Sequence, residues 1–220
     1  IAEIFDAAHF LLAHPEVKHG TVRICITPDE EIGQGTKYFD VAKFGATYAY
    51  TVDGEQLGSI ENETFCADSL TVEFEGVSIH PGFAKDKLLN SVKIAARFLE
   101  KLPQDALSPE TTEKKEGYVH PHGITGGVEK TTVKFLLRAF TTEELREQEA
   151  FIRGLVDETM AEFPKGKATV TVQESYRNMS YVLDEFPLVL EIAKTAMQRV
   201  GLQPEIGSIQ IGRASCRERV

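Results

Sequence analysis

Residues Thr131–Phe163 read TTVKFLLRAFTTEELREQEAFIRGLVDETMAEF, and this stretch decides the fold of the middle of the chain. Thr131–Phe140 combines β-branched and aromatic residues in a run that is typical of a strand. Thr141 and Glu144 have the spacing of a capping box, in which each side chain accepts a hydrogen bond from the other residue's backbone N–H. We therefore predict a strand that leads directly into a long amphipathic helix.

The sequence on both sides of this stretch repeats the strand and helix pattern. Upstream, Ser69–Phe74 alternates as a half-exposed strand does, and Asp86–Leu102 has the apolar stripe of a helix. Downstream, Pro164 ends the long helix and Ala168–Gln173 is typical of another strand. Together they predict a two-layer α+β domain. The predicted inward face of the upstream helix consists of Leu88, Val92, Ala95 and Leu99.

The two ends of the chain predict a different kind of domain. Thr21–Ile26 and Ala46–Val52 have the composition of buried strands, with a short helix at Tyr38–Phe44 between them. This order favours an α/β unit with a mostly parallel sheet, which a later helix capped by Asp184 would rejoin. The fold class we predict is α/β: a split α/β domain with an inserted two-layer α+β domain. The predicted boundaries are residues 1–64 and 179–210 for the split domain and 65–178 for the insertion.

Composition and charge exclude several classes of protein. The chain has 24 Lys and Arg against 34 Asp and Glu, a formal net charge of −10, which argues against nucleic acid and anionic membranes as partners. No apolar run approaches the roughly 18 residues that a membrane span needs. The three Cys lack the spacing of a disulfide framework, so we expect a reducing compartment, the cytoplasm.

The last ten residues, Ile211–Val220, read IGRASCRERV and differ in composition from everything before them. One back-translation of this stretch resembles a common short-read sequencing adapter. We therefore interpret residues 211–220 as a foreign tail and leave them out of the fold prediction. A genuine basic tail is the alternative.

Acidic loops follow both of the predicted upstream strands. Asp29, Glu30 and Glu31 come just past the first strand, and Asp53 comes just past the second. Because sites in open α/β sheets form outside the carboxyl ends of strands, these carboxylates are candidates for metal ligands and a general base. Each has a structural alternative. The acidic run is also typical of a solvated loop or a helix N-terminus, and Asp53-Gly54 of an ordinary turn.

Histidine and arginine residues indicate a functional site less strongly than the acidic loops do. His80 lies just before a predicted helix, where a lone His more often has a structural role. Arg138 alternates with apolar neighbours on a strand, where a guanidinium binds a substrate carboxylate or forms an ordinary salt bridge. His120 and His122 lie in a predicted loop, and we favour no metal site there.

Five stretches occur in one order along the chain: TPDEEIGQG, YFDVAKFGATYAYTVDG, EGVSIHPGFAKDKLLN, KFLLRAF and SYRNM, spread from Thr27 to Asn178. Together they resemble peptidase T and its relatives, a branch of the cocatalytic-zinc aminoacylase and carboxypeptidase superfamily. The resemblance implies a cytoplasmic aminopeptidase that uses two Zn²⁺ ions to release the N-terminal residue of tripeptides. It also implies that the split α/β domain is a zinc-hydrolase domain, and that the inserted two-layer α+β domain is a lid or dimerisation domain through which two copies form a homodimer.

The resemblance further implies roles for single residues. Glu30 matches the general base that activates the water between the zinc ions. Glu31 matches a ligand of one zinc and Asp53 a ligand of the other. His80 matches a lid histidine that reaches the partner subunit's active site and supports the oxyanion. Arg138 is similar to a lid arginine that contacts the substrate.

Some ligands expected from the resemblance have no counterpart in this sequence. The family's His-x-Asp motif and bridging Asp would lie before Ile1, and its last His ligand in the segment occupied here by Ile211–Val220. We therefore expect this polypeptide alone not to hydrolyse peptides. Two other functions stay open: a sister dizinc dipeptidase, carboxypeptidase or amidohydrolase, and a non-catalytic dimerisation or binding module.

Overall fold

The structure of the protein is a computed structural model that describes residues 1–28, 35–52 and 56–208. Within these ranges, no helix combines the length and the apolar composition of a membrane span. In chain order the helices and strands are α1 (Ala2–Ala13), α2 (Val41–Phe44), β1 (Ser59–Glu63), β2 (Cys66–Glu75), α3 (Ser91–Glu100), β3 (Tyr118–Gly126), β4 (Lys130–Ala139), α4 (Thr142–Glu162), β5 (Lys167–Tyr176), α5 (Ser180–Leu183), α6 (Pro187–Arg199) and β6 (Glu205–Ser208).

The described residues fall into two compact units. One contains Ile1–Ile60 and Phe186–Ile206, and the other contains Glu61–Glu185. The second unit, called the inserted unit below, has four long strands and two long helices. The catalytic and lid roles that we assign to the two parts, and their predicted boundaries, stay predictions.

The inserted unit is a four-stranded sheet, covered on one face by α3 and α4. The strand order is β3-β4-β2-β5, and all neighbouring strands in it run antiparallel. Residues that alternate along β2 and β4 pack with the helices in one apolar core. The predicted two-layer arrangement follows from this alternation, because every second side chain of a strand faces the same layer. The fully buried aromatic residues of this core are Phe74, Phe98 and Phe135.

The junction of β4 and α4 has the capping box that the sequence predicts. The Glu144 N–H donates to Thr141 Oγ1 at 3.1 Å, and the Thr141 N–H donates to Glu144 Oε2 at 3.2 Å. The helix then continues to Glu162 and buries Leu145 and Ile152 against the sheet. This turn therefore fixes where the second helix begins.

Helix α3 is shorter than predicted. It begins at Ser91 rather than at Asp86, because Asn90 caps it by accepting a 2.9 Å hydrogen bond from the Val92 N–H. Its buried face also differs, since Val92 is 42 % exposed. Ala95 is buried as predicted, and the other buried residues of the helix are Ser91, Ile94 and Phe98.

Strand β3 is absent from the sequence prediction, which placed His120 and His122 in a loop. Both residues belong to Tyr118–Gly126, which pairs with β4 and carries an irregularity between Pro121 and Gly123. Proline is tolerated on an edge strand, since only the inward-facing N–H groups of that strand need a partner. Because an edge strand tolerates proline and glycine, β3 lacks the alternating pattern by which a strand is recognised in sequence.

Several predictions for the outer parts of the chain are wrong. Thr21–Ile26 and Ala46–Val52 have no regular secondary structure, since β-branched runs form strands only where a neighbour completes the hydrogen-bond ladder. The helix predicted for Tyr38–Phe44 shrinks to α2. Asp184 follows α5 and does not cap α6, which begins after Phe186.

Candidate functional site

The three carboxylates central to the predicted site, Glu30, Glu31 and Asp53, lie outside the described residues. Their predicted roles stay predictions. Within residues 1–28, 35–52 and 56–208, no group of three or more His, Cys, Asp or Glu side chains is placed to hold a metal ion.

His80 lies in an exposed turn after β2, where its imidazole is held in one orientation. It caps the short 3₁₀ helix Pro81–Phe83, and its Nδ1 accepts a 3.1 Å hydrogen bond from the Gly82 N–H. A backbone N–H can only donate, so in the neutral ring the proton sits on Nε2. His80 therefore presents an N–H donor on the far side of its ring.

Gly82 leaves room for this arrangement. A Cβ added at Gly82 would lie 3.2 Å from Nδ1 and 3.4 Å from Cε1 of His80, closer than side chains normally approach. The glycine thus lets its own N–H reach the ring without displacing it. Local sequence, rather than distant packing, sets the direction in which His80 donates.

Arg138 is buried on the sheet face opposite the helices. It is 8 % exposed, and its guanidinium lies 5.9 Å from the centre of the Tyr176 ring. Its Nη1 also donates to the Leu137 carbonyl at 2.9 Å. Tyr118 is its cross-strand neighbour on β3. A guanidinium held over an aromatic ring has a restricted orientation, which suits bidentate binding of a carboxylate.

His80 and Arg138 belong to opposite ends of the same sheet. Arg138 pairs with Ala67 near the start of β2, whereas Glu75 at the end of β2 pairs with Lys130. Eight residue steps of about 3.4 Å separate these two levels by roughly 27 Å. His80 follows the far end of the strand.

The loop that carries His80 is anchored at that far end. Val77 and Leu89 pair in an isolated bridge that closes the loop. The Ser91 N–H then donates to the Val128 carbonyl at 3.0 Å, in the turn between β3 and β4. These contacts hold the loop of His80 at the end of the sheet that is remote from Arg138.

A part-buried ion pair, which the sequence did not reveal, joins β2 to the residue after β5. Asp68 is 1 % exposed, and Arg177 grips it with Nη1 at 2.7 Å from Oδ1 and Nη2 at 3.3 Å from Oδ2. The Ser175 N–H also donates to Oδ1 at 3.2 Å. Removing one partner would leave a buried charge without compensation, so the pair fixes these strands to each other.

Glu149 on α4 reaches the same cluster from the helix layer. Burial raises the pKa of Glu149, and its hydrogen bond to Asp68 raises the pKa further. The positive charges of Arg153 and Arg177 oppose both effects. The hydrogen bond between the two carboxyl groups needs a proton on one of them, which is why it raises the pKa of Glu149. The remaining charged residues around this cluster are Arg146 and Glu174.

We expect the inserted unit to lose stability as the pH rises through the raised pKa of Glu149. A group whose pKa is higher in the folded state stabilises the fold below its ordinary pKa, and this contribution is lost above the folded pKa. Glu149→Gln keeps a donor toward Asp68 without titrating. It should therefore raise the free energy of unfolding at neutral pH by up to about 1 kcal/mol.

Urea denaturation between about pH 4 and pH 8 would measure this effect. Glu147→Gln, on the exposed side of the same helix, is the matched control and should leave the pH dependence unchanged. Identical pH profiles for Glu149→Gln and the unmodified chain would contradict the assignment.

His120 and His122 border a cavity of about 660 Å³ beside β3. Their ring centres are 6.3 Å apart. Burial lowers the pKa of His122, and the positive charges of His120, Lys134 and Arg138 lower it further. Neutral His122 has the protonation state of a metal ligand, but a structural zinc needs four ligands and this pair supplies two. The cavity wall is otherwise mainly apolar, with Leu99, Leu102, Leu107 and Phe151.

Comparison with known proteins shows which proteins this chain is similar to. Residues 62–164 match the family model of the peptidase dimerisation domain. A peptidase T from a Geobacillus strain is 42% identical over 212 residues, which cover 96% of this chain and 52% of the relative. The chain thus spans about half the length of the curated relatives it matches.

Solved structures show the same fold. The aminopeptidase PepT from Bacillus cereus has a TM-score of 0.72 at 24% identity, over 94% of this chain and 55% of its own. The Bacillus subtilis YXEP protein, described as a dinuclear metal binding peptidase from the M20 family, has a TM-score of 0.52 at 13% identity, over 83% of this chain and 48% of its own. Likeness at this identity shows the fold alone, and it confirms the predicted mixed α/β class. The chain therefore resembles peptidase T over nearly its whole length, and its residues 62–164 match the model of the M20 peptidase dimerisation domain.

Proposed function

We propose that this chain is part of a metal-dependent aminopeptidase of the peptidase T type, which releases the N-terminal residue of tripeptides in the cytoplasm. The full-length enzyme is the protein that contains this chain and has the length of its peptidase T relatives. The 42% sequence identity to a peptidase T supports the proposal most strongly. It extends over 96% of the chain and so includes the acidic loops as well as the dimerisation domain.

Glu30, Glu31 and Asp53 would form the part of the metal centre that this chain supplies. Carboxylate oxygens are suitable donors for zinc, so the chemistry of Glu31 and Asp53 fits a pair of Zn²⁺ ions. Bound zinc would lower the pKa of a water and polarise the scissile carbonyl. Glu30 would take the proton of that water and deliver it to the leaving amine.

His80 and Arg138 would contact the substrate from the dimerisation domain. The Nε2–H of His80 points away from its own turn, so it is free to donate to the oxyanion that forms during hydrolysis. Arg138 would pair with the carboxylate at the end of the peptide, since in a tripeptide this group lies close to the scissile bond. A fixed arginine at that distance would select short peptides.

The enzyme would act as a homodimer, because His80 and Arg138 lie at opposite ends of one sheet. A site that includes both would combine Arg138 of one subunit with His80 of the partner subunit. The match to a peptidase dimerisation domain at residues 62–164 supports this arrangement, since the match includes both residues. In a two-fold symmetric dimer the exchange is mutual, and each of two sites is complete.

We expect the purified full-length enzyme to release the N-terminal residue of a tripeptide such as Met-Gly-Gly. N-acetylation of the peptide should abolish this release. A chelator should remove most of the activity, and added Zn²⁺ should restore it. The reason is that the metal ions would activate the attacking water and polarise the scissile carbonyl. Amino acid release followed by chromatography measures each case.

Two controls separate this function from its alternatives. Residues 1–210 alone should show no turnover. Hydrolysis of N-acyl amino acids in place of tripeptides would indicate a sister amidohydrolase or carboxypeptidase. A full-length protein that hydrolyses none of these substrates with metal present would indicate a non-catalytic dimerisation module.

A further inference from the structure

The side chain of Asn178 satisfies four hydrogen-bonding partners at the point where the chain leaves the sheet. Its Oδ1 accepts from the N–H groups of Thr64 at 3.1 Å and Ser180 at 3.0 Å. Its Nδ2 donates to the Phe140 carbonyl at 3.1 Å and to Glu63 Oε1 at 3.4 Å. The residue is 3 % exposed. Asn is suited to this position because its amide both donates and accepts.

Backbone groups beside Asn178 reinforce the same connection. The Asn178 N–H donates to Cys66 Sγ at 3.3 Å, and the Met179 N–H donates to Thr64 Oγ1 at 3.1 Å. Residues 63–66 are where the chain enters the sheet, and residues 178–180 are where it leaves. The segment that enters the sheet is therefore hydrogen-bonded to the segment that leaves it, within the inserted unit.

The connection reaches Arg138 from two sides. Phe140, whose carbonyl accepts from Asn178, is two residues beyond Arg138 on the same chain segment. Tyr176, whose ring lies beneath the Arg138 guanidinium, is two residues before Asn178. The Asn178 amide thus fixes the chain close to both partners of the contact between Arg138 and Tyr176.

We infer that Asn178 is a positioning residue, which ties the end of β4 to the segment after β5 across the start of β2 and so sets the plane of the Arg138 guanidinium. The inference rests on the proposed function in one respect, which is that Arg138 binds the carboxylate of a substrate. The hydrogen bonds of Asn178 do not depend on that function. Loss of the clamp lets the ends of β4 and β5 move independently on the two sides of β2, and Arg138 then binds a carboxylate in many orientations instead of one.

Amide exchange on the 220-residue chain tests the clamp without any need for activity. Asn178→Ala should speed exchange of the Thr64 and Ser180 amides at least about tenfold, because both lose their acceptor. The matched control is Thr64→Ala, which should speed exchange at Met179 and leave Ser180 unchanged. Unchanged exchange at Thr64 and Ser180 in Asn178→Ala would overturn the clamp. If Asn178→Ala does not fold, Asn178→Asp retains the acceptor, and exchange should then stay slow at those two amides.

A double-mutant cycle in the full-length enzyme tests the link to Arg138. Asn178→Ala should raise KM for a tripeptide roughly fivefold with kcat nearly unchanged, and it should add no further rise in an Arg138→Ala background. The same factor in both backgrounds would show a general structural role and overturn the inference. If Asn178→Ala does not fold, Asn178→Asp takes its place in the cycle, since it loses the donor to Phe140. An unmodified enzyme without tripeptide turnover would refute the proposed function instead, and amide exchange would still decide the clamp.

Discussion

Replacing Gly76 with alanine is expected to prevent the inserted unit from folding. An alanine Cβ at this position would lie 2.2 Å from the Leu89 carbonyl oxygen, 2.6 Å from the Val128 oxygen and 2.9 Å from the Ser91 nitrogen. All three atoms belong to the backbone, so no side chain can rotate away. Gly76 itself donates a 2.7 Å hydrogen bond to the Glu129 carbonyl. We expect a loss of more than about 4 kcal/mol, enough to unfold a typical domain.

Circular dichroism and thermal denaturation would measure this loss. Gly154→Ala in α4 is the matched control, since a Cβ at Gly154 meets nothing within 4 Å. Alanine favours a helix interior over glycine by about 1 kcal/mol, so this variant should melt slightly higher than the unmodified chain. A Gly76→Ala protein that melts at the original temperature would show that the three segments are not in such close contact.

Local patterns were sufficient to predict much of the inserted unit. The capping box at Thr141 and Glu144 is a contact between near neighbours, and its residue types alone specify it. The alternation along β2 is equally local, because the helices cover only one face of the sheet. Strand β3 escaped prediction because an edge strand does not need an unbroken pattern, and Pro121 interrupts it without loss.

Contacts between distant residues could not be predicted in the same way. Thr21–Ile26 has the composition of a strand, but a strand needs a neighbour that the segment itself does not specify. The amide of Asn178 meets partners 114 and 115 residues away in sequence. Nothing in the sequence around Asn178 distinguishes a clamp from a surface residue. The direction in which His80 donates also became clear only from the Gly82 contact.

Two single substitutions in the full-length enzyme should each remove most of its activity. Glu30→Gln removes the proposed general base, a change that typically costs a factor of about 10² to 10⁴ in kcat. His80→Ala removes the proposed oxyanion donor, a change that typically costs about 10² to 10³ in kcat. KM should change little in either variant, because both groups act on the transition state. Steady-state kinetics with one tripeptide would measure both.

Mixing these two inactive variants should restore activity, because His80 and Glu30 of a single site would come from different subunits. In a mixed dimer, the site with intact Glu30 receives intact His80 from the partner subunit, while the other site lacks both. Equal amounts that exchange subunits at random give half mixed dimers with one working site each, so about a quarter of the original activity should return. Subunit exchange is checked by native mass spectrometry. If mixed dimers form and remain inactive, His80 serves its own subunit, and the arrangement inferred from the opposite ends of the sheet is wrong.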